Sequence, residues 1–301
     1  MTKRKHQLPL LLLAGSLLTT ACIRDEVPPC PPLRVTFEVV DKNYANIADV
    51  EAIGLDRRVD ENQPFAAYVA TLSYRITDEA TGHVVAEQHL WRPAADEAAP
   101  AVELPADLPF GTYRITVWGG MADERGVEAA GSFGAYALHH GGAEGYDVYQ
   151  AETLMHYDAT HANFTVGLRR VKGKLLVESV GLPEGTCWSE RRIDGVAADV
   201  TSALAYSGTT ALSVQEAWQP APRVVTDTWA APSFDGRPAT LTVSYYDSPE
   251  RTAPVLCPPA TSIDLRRNEI SVVRYVYTGG DFEVYVLVDD TWNRVNDLIV
   301  D

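Results

Sequence analysis

The stretch Tyr-Val-Ala-Thr-Leu-Ser-Tyr-Arg-Ile at residues 68–76 decides the fold class, because apolar side chains recur at every second position. Thr71, Ser73 and Arg75 lie between them, and this period of two is that of a β-strand with one buried face. The same alternation recurs in four further stretches, 35–39, 112–117, 164–168 and 240–245. No long stretch has a 3.6-residue apolar period, so the sequence predicts an all-β protein with few, short helices.

Two segments near the C terminus, 270–277 and 282–288, are apolar on both faces over much of their length. That pattern is typical of central strands of a β-sandwich. The chain has 301 residues, enough for two ordinary domains. The irregular region 121–161, rich in Gly, His and Tyr, is where we expect the boundary. The sequence therefore predicts two tandem β-sandwich domains, 33–157 and 158–301.

The N-terminal residues have the order of an export signal. Basic residues at Lys3–Lys5 precede an apolar run from Leu8 to Leu18, and small residues lead to Cys22. The run is too short for the ~20 residues of a membrane-spanning helix. Cysteine directly after small residues is the pattern of a bacterial lipoprotein signal, although Thr19 stands where a large aliphatic residue is usual. We expect residues 1–21 to be removed and Cys22 to be acylated; an ordinary signal peptide with a coincidental cysteine is the alternative.

Residues 22–32 are predicted to form a tether, because proline dominates 28–32 and favours extended polyproline geometry. The net charge of the chain is −16, and the signal peptide contributes only basic residues, so the mature protein is more acidic still. Such a charge repels phosphates and argues against nucleic acid and anionic lipid as partners. Attachment to a membrane would therefore depend on acyl chains at Cys22, which contribute about 0.8 kcal/mol per buried methylene.

Three further cysteines raise the question of a disulfide. An exported protein lies where disulfides persist, but Cys30, Cys187 and Cys257 leave one thiol unpaired. Cys187 and Cys257 fall in the same half of the chain, so their pairing is the one that we expect. A metal site is the competing interpretation, but the sequence has no Cys-x-x-Cys and no clustered His–Cys spacing. The histidines His139, His140, His156 and His161 also lack ligand spacing, so neither a metal nor a cofactor is predicted.

The sequence offers no catalytic constellation, so no enzyme activity is predicted. The nucleophile elbow Gly-x-Ser-x-Gly is lacking, and the stretch 131–134 misses its spacing. With 41 acidic residues, a carboxylate pair for glycoside hydrolysis cannot be singled out. Four tryptophans outside the clearest strands could stack on a sugar, or could cover the ends of a sandwich: Trp91, Trp188, Trp218 and Trp229. A surface glycan-binding lipoprotein of a polysaccharide-uptake system is therefore the alternative function.

The residues that follow Cys22 are similar to a known family. Cys22-Ile23-Arg24-Asp25-Glu26, a short spacer and the stretch Cys30-Pro31-Pro32-Leu33-Arg34-Val35 resemble the opening of the FimB-type fimbrial anchor family. These are the minor-fimbrium anchor lipoproteins of Gram-negative gut and oral bacteria. Further similarity lies at 111–120, at 168–182 with its Gly173-Lys174 start, and at 265–269. The resemblance runs over most of the mature chain, although only its opening is specific.

This resemblance implies two transthyretin-like β-sandwiches in tandem, after the lipidated tether. Members of the family sit at the base of a type V fimbrium, tie it to the outer membrane and limit its length. Shaft subunits of such fimbriae lose an N-terminal strand to an arginine-specific protease, and the groove that opens accepts a strand from a neighbouring subunit. The anchor keeps its N terminus, which its lipid holds. Relatives that serve as tip or accessory subunits share this opening.

For this chain, the resemblance implies a lipid-anchored protein exposed on the cell outer membrane. It would engage fimbrial shaft subunits by β-strand addition, with Cys22 as its attachment point. The segment Arg24-Asp25-Glu26 resembles the signal that sends such lipoproteins to the cell surface. Strand addition needs unpaired main-chain groups, which folded proteins otherwise hide. We therefore expect an open edge in the first domain, or a terminal strand that can leave it.

Overall fold

The computed structural model describes residues 31–248, 250 and 252–295. The expected signal peptide, Cys22, Cys30 and residues 296–301 lie outside the described residues. Within the described part nearly all of the regular secondary structure is strand, which confirms the predicted all-β class. None of the helices found there is long and apolar enough to cross a bilayer.

Eight strands and four short helical segments are described before Gly173. The strands are β1 (Arg34–Val39), β2 (Leu72–Asp78), β3 (Val84–Trp91), β4 (Ala101–Glu103), β5 (Gly111–Gly119), β6 (Ala135–Ala137), β7 (Tyr149–Tyr157) and β8 (Asn163–Arg170). The helical segments are α1 (Ile47–Ala52), α2 (Arg125–Ala130) and the 3-10 turns Phe65–Ala67 and His140–Gly142.

Nine further strands complete the described chain. They are β9 (Gly173–Val180), β10 (Trp188–Thr201), β11 (Tyr206–Ala217), β12 (Arg223–Ala230), β13 (Ala239–Tyr246), β14 (Thr261–Ile263), β15 (Ile270–Tyr277), β16 (Phe282–Val288) and β17 (Thr291–Arg294). Every segment in which the sequence alternation predicted a strand contains one.

The first sandwich is a seven-stranded sheet with the order β3-β2-β5-β7-β8-β1-β4. The sheet bends between β7 and β8, so that β2, β5 and β7 share one core with β1 and β8. β1 brings Leu33, Val35 and Phe37 into this core, each with 0% of its surface exposed. β1 and β8 run parallel and are paired along the whole length of β1. The alternation at 35–39 thus becomes one buried stripe.

The second sandwich consists of two five-stranded sheets. One has the order β11-β10-β13-β14, with β6 paired to β10, and the other has the order β12-β9-β15-β16-β17. Val177 of β9, Ile193 of β10 and Val273 of β15 meet in the core between the two sheets. The prediction of tandem β-sandwiches is therefore confirmed. The doubly apolar segment 270–277 forms β15, which lies between β9 and β16 as a central strand.

The position of β8 corrects the predicted domain limits. The alternation that begins at Phe164 does form a strand, but this strand pairs with β1, and its residues Val166 and Leu168 are buried in the first core. The chain therefore enters the second sandwich at Gly173. The boundary expected after Tyr157 lies inside the β7–β8 hairpin. Alternation reveals a strand from local residues, whereas the partner of that strand is set by contacts distant in sequence.

The opening stretch 68–76 is a strand only from Leu72 onward. The 3-10 turn at Phe65–Ala67 precedes it and turns the chain onto the core. Val69 is consequently buried with 0% of its surface exposed, whereas Tyr68 is only partly buried. The period of two therefore overestimates this strand at its N-terminal end.

The irregular region before β7 packs against the second sandwich. β6 extends the sheet of β10, and Phe133, Tyr136 and Leu138 belong to the second core. The helix α1 buries Ile47 and Val50 in a small cluster with residues of β9 and β15. Two segments that follow strands of the first sandwich thus cover parts of the second, and the sandwiches share a broad junction.

A buried ionic cluster, called here the Arg170 cluster, lies at this junction. The Arg170 side chain is 8% exposed, and its Nε donates to both carboxylate oxygens of Asp147 at 3.1 and 3.0 Å. Nη1 donates to Asn268 Oδ1 at 3.0 Å, Nη2 donates to the Tyr149 hydroxyl, and the guanidinium lies 4.1 Å from the ring centroid of Tyr44. Burial raises the pKa of Asp147, and Arg170 counteracts part of that rise.

Candidate interaction site

The hairpin of β7 and β8 is paired at both ends and open in the middle. At its turn, Asp158 and His161 exchange N–H···O bonds of 3.2 and 3.3 Å. At its far end, Gln150 pairs with Arg169. Between these ends, within the described chain, β7 pairs with β5 and β8 pairs with β1, but not with each other. The hairpin opens because its two strands belong to different layers of the sandwich.

Main-chain groups of both strands point into this gap. Glu79 N donates to Thr112 O. The main-chain groups of the even-numbered residues of β5 therefore point toward β2, and those of its odd-numbered residues point toward β7. The odd-numbered residues of β7 therefore bond β5, and its even-numbered residues point to β8. Val40 N donates to Leu168 O, so the even-numbered residues of β8 bond β1 and the odd-numbered ones point to β7.

The gap, called here the seam, is thus flanked by main-chain N–H and C=O groups with no main-chain partner among the described residues. They belong to Glu152, Leu154 and His156 of β7 and to Asn163, Thr165 and Gly167 of β8. Unpaired strand edges are a template for a further strand, so folded proteins usually cover them. Leu154 is also 45% exposed, which leaves an apolar side chain in solvent beside the seam.

A cavity of ≈ 480 Å³ lies at the Gln150 end of the seam. Its walls are Val40, which follows β1, residues 150–153 of β7, and Gly167 and Arg169 of β8, and its roof is the tip of the β10–β11 hairpin at 202–204. We call this space the seam cavity. A Cβ on Gly167 would lie 2.7 Å from Val40 Cγ2, so a larger residue there would push the Val40 side chain aside.

The hairpin tip is fixed to β7 by side-chain hydrogen bonds. Gln150 Nε2 donates to Ser202 O, and Ser202 Oγ donates to the Glu152 carboxylate. Leu204 closes this tip in the left-handed region, at φ 58°, which is costly for a branched side chain. The second sandwich thus places a constrained loop over one end of the seam.

The charged groups at the seam cavity differ in how they are satisfied. Glu152 accepts from Arg114 Nη1 at 2.7 Å, and Arg114 also binds Glu79 at 2.7 Å. The exposed side chain of Arg169 has no hydrogen-bond or ion-pair partner among the described residues. Glu38 of β1 lies beside Gly167 of β8, but its carboxylate does not come within ion-pair distance of Arg169. One cation at the seam is therefore free to bind an anion.

A second cavity of ≈ 560 Å³ lies between α1, β14, β15 and β16. Part of its polar lining is engaged in the fold: Asn46 bonds both main-chain groups of Ile270 at 2.8 Å, and Ser271 Oγ donates to Asp264 O at 2.8 Å.

The other sheet edges are shorter or partly covered. β4 and β14 have three residues each, and β3 is irregular in its pairing with β2. On β12, Trp229 N donates to Glu144 Oε1 at 2.6 Å and Asp227 O accepts from Arg191 Nη2 at 3.0 Å. β11 is long and pairs only with β10 in the described chain. Trp218 N bonds Cys187 O, so the main-chain groups of even-numbered residues on this side point toward β10. Gln215 is odd-numbered and therefore directs its N–H away from β10, outward. The seam differs from all of these in presenting two facing edges.

The structure does not form the expected Cys187–Cys257 disulfide. Both thiols are free; Cys187 is half-buried and Cys257 is exposed. Cys187 N bonds Tyr246 O on one side of β13, whereas Leu256, beside Cys257, pairs with Tyr245 on its other side. Because β13 lies between the two cysteines, they are separated by two strand spacings, about 10 Å. A disulfide spans at most ~7 Å between Cα atoms. Cys22, the predicted lipidation site, lies outside the described residues.

The histidines are explained by local packing. His139 is 3% exposed, its Nε2 accepts from Ala231 N at 2.9 Å, and its Nδ1 lies 3.0 Å from Ala143 O. Burial, with Lys172 nearby, lowers the pKa of His139 to about 3, so its ring is neutral at neutral pH. His161 bonds Asp158 in the β7–β8 turn. The described residues contain no group of three side chains that could hold a metal ion.

The aromatic side chains do not form a sugar-binding platform in the described chain. Trp91 packs edge-on against Phe37 and Tyr74 of the first core, with ring centroids 6.1 and 6.5 Å apart. Trp218 packs on Tyr245 of the second core. The one aromatic side chain that is largely exposed there is Phe110. Core packing therefore explains Trp91 and Trp218.

Sequence reasoning missed the seam because it missed β7. The signal was present: Tyr149, Ala151, Met155 and Tyr157 alternate with polar residues, and all four are buried. This alternation lies in the region that we expected to be loops. The missing pairing itself leaves no local trace, since it depends on which distant strands capture β7 and β8.

No known family model matches the sequence, and no curated protein matches it. Solved structures do match. A candidate adhesin from Bacteroides ovatus is 14% identical over 92% of this chain and 98% of its own, with a TM-score of 0.54. A candidate polysaccharide-binding protein from Bacteroides thetaiotaomicron is also 14% identical, over 88% and 98%, with a TM-score of 0.54. The two-domain fold is the fold of these proteins.

The solved structures with similarity to this chain also include a fimbrial anchor protein. This protein, Mfa2 from Porphyromonas gingivalis, is 13% identical over 88% of this chain and 100% of its own, with a TM-score of 0.49. At such identities the similarity to the candidate adhesin and to the candidate polysaccharide-binding protein establishes the fold and not the role of the chain.

Proposed function

We propose that the chain is an outer-membrane surface lipoprotein that anchors or helps to assemble a fimbrium. Lipid on Cys22 holds it to the membrane, and the seam binds a strand of a fimbrial shaft subunit. The observation that carries this proposal is the pair of unpaired main-chain rows on β7 and β8. The resemblance of the residues after Cys22 to fimbrial anchors, and the fold shared with a candidate adhesin, support it.

The seam supplies what strand addition requires. An incoming strand would displace the Gln150–Arg169 pairing that closes one end of the seam. It would then bond both rows at once, antiparallel to one strand and parallel to the other, because β7 and β8 run in opposite directions. Main-chain bonds would supply affinity, and alternate side chains would supply specificity. Its inward side chains would meet core residues such as Met155 and Val166, and its outward ones would lie beside Leu154 and Thr165.

The proposed role needs no catalysis, cofactor or nucleic acid. The net charge of −16 opposes binding to phosphate backbones. The alternative of a glycan-binding lipoprotein has the description of one structural neighbour in its favour, but the described surface lacks a row of exposed aromatic side chains. Binding of the purified protein to an array of polysaccharides would favour that alternative.

Proline in the seam should block the partner without unfolding the protein. In Leu154→Pro the lost N–H has no partner in the free protein, so the Tm should fall by less than about 4 °C. The pyrrolidine ring removes one main-chain bond to the incoming strand and obstructs its approach, at a cost of about 3 kcal/mol. We therefore expect the affinity for purified fimbrial shaft subunits, measured by surface-immobilised binding, to fall about a hundredfold.

The matched control is Gln215→Pro, which places the same residue at the other long open edge, β11. It should leave the affinity within about twofold of the parent, since seam contacts are unchanged. Equal binding by Leu154→Pro and the parent chain would refute the seam as the docking site. Loss of binding in Gln215→Pro alone would move the site to β11.

A further inference from the structure

The free cation at the seam cavity is placed where an incoming strand would pass. Arg169 is the last residue of β8 beside the open part of the seam, and its side chain shares the outer face of the sheet with Gly167 and Val40. Among the described residues no carboxylate lies within 4 Å of its guanidinium, unlike Arg114 on β5, which binds two. An arginine fork that is not engaged within the fold is suited to a carboxylate, which it can bind with two parallel hydrogen bonds.

The nearby carboxylates do not supply that partner. Glu152 is held by Arg114 and by Ser202 Oγ. Glu38 approaches Gly167, with its Oε1 3.5 Å from the place where a Cβ would stand, but not Arg169. Arg169 is therefore not engaged by any carboxylate of the described chain, and an incoming carboxylate would displace no internal ion pair.

The space beside Arg169 has a mixed lining. Ala151, Gly167 and Ala203 are small and leave the seam cavity open, whereas polar side chains line the rest of it: Gln150, Glu152, Thr153 and Ser202. Val40 is 51% exposed at its rim. A volume of ≈ 480 Å³ is sufficient for one side chain of the incoming strand. Burial there would remove Val40 from water and contribute about 25 cal/mol per Å² of apolar surface.

We propose that the strand bound by the seam carries an acidic side chain that pairs with Arg169, and an apolar side chain at the adjacent outward position that packs on Val40 at the rim of the seam cavity. This inference rests on the proposed docking at the seam and specifies the chemistry of the partner. The acidic residue fixes the register, because the acidic surface of this chain, with a net charge of −16, offers such a side chain few other favourable positions.

The test compares Arg169→Gln with Arg169→Lys in the full chain, using purified fimbrial shaft subunits as the probe. Arg169→Gln should weaken binding about fivefold at ~50 mM salt, and the difference from the parent should vanish at ~1 M salt, where the Debye length is about 3 Å. Arg169→Lys keeps the charge and should recover most of the affinity.

Arg192→Gln is the control for a general charge effect. Arg192 lies on the second sandwich with a side chain 57% exposed, and its removal should leave binding and its salt dependence unchanged. If Arg169→Gln binds like the parent at all salt concentrations while Leu154→Pro still fails to bind, the acidic partner is refuted and the seam stands. If Leu154→Pro also binds like the parent, the docking site itself is wrong.

Discussion

Replacement of Cys22 by alanine is expected to release the protein, and the fimbriae with it, from the cell into the medium. The rest of the chain has a net charge that anionic lipid repels, and no helix in its described part could span a bilayer. Each lost acyl chain removes about 0.8 kcal/mol of membrane affinity per methylene, so retention should fall to near zero. Immunoblotting of cell and medium fractions, together with incorporation of labelled palmitate, measures this.

Cys30→Ala is the matched control for the lipidation site. Cys30 lies in the same N-terminal segment but does not follow the small residues of the signal, so its replacement should leave the protein lipidated and attached. Fimbriae that remain on Cys22→Ala cells at normal length would disprove the anchoring role. Release by Cys30→Ala to the same extent would show that the N-terminal segment, and not the lipid, makes the attachment.

Arg170→Met is expected to cost about 3 kcal/mol of unfolding free energy, because it leaves the Asp147 carboxylate, which is 20% exposed, without its cation. Arg169→Met, one residue earlier, removes an exposed side chain without a partner and should cost less than about 0.5 kcal/mol. Urea unfolding followed by circular dichroism, with the parent chain and both variants at equal concentration, provides the comparison.

The pH dependence identifies the cause of that loss. Burial already raises the pKa of Asp147, and removal of Arg170 raises it further. An acid whose pKa is higher in the folded state destabilises the fold above its unfolded pKa, and this penalty is relieved on protonation. The deficit of Arg170→Met relative to the parent chain should therefore shrink as the pH falls toward about 4. A small deficit would show that the Arg170 cluster does not stabilise the junction, and a large deficit independent of pH would show that the loss does not come from Asp147.

The sequence predicts which segments form strands far better than it predicts which strands pair with each other. Val35, Phe37 and Val39 alternate with polar residues, and the stripe that they predict is buried. The alternation at Phe164 is equally clear, yet it could not show that β8 lies beside β1, more than a hundred residues earlier. A period of two follows from local geometry, whereas pairing is decided by which distant edges meet.

The candidate site could be predicted even less. Cys22 is visible because export signals are read from local sequence, but the seam depends on bonds that are absent between β7 and β8. Gly167 is an ordinary glycine until Val40 is seen against it. Cys187 and Cys257 fall in the same half of the chain, which suggested a disulfide between them. Excluding that disulfide required knowing that β13 separates them.

Amide hydrogen exchange of the protein, free and bound to fimbrial shaft subunits, tests the seam most directly. In the free protein, the amides of Leu154 and Thr165 should exchange rapidly, whereas that of Thr153, which faces β5, should be protected. Binding should protect Leu154 and Thr165 strongly and change Thr153 little. Equal protection of these amides in the free protein, or no change at Leu154 and Thr165 in the complex, would contradict strand addition at the seam.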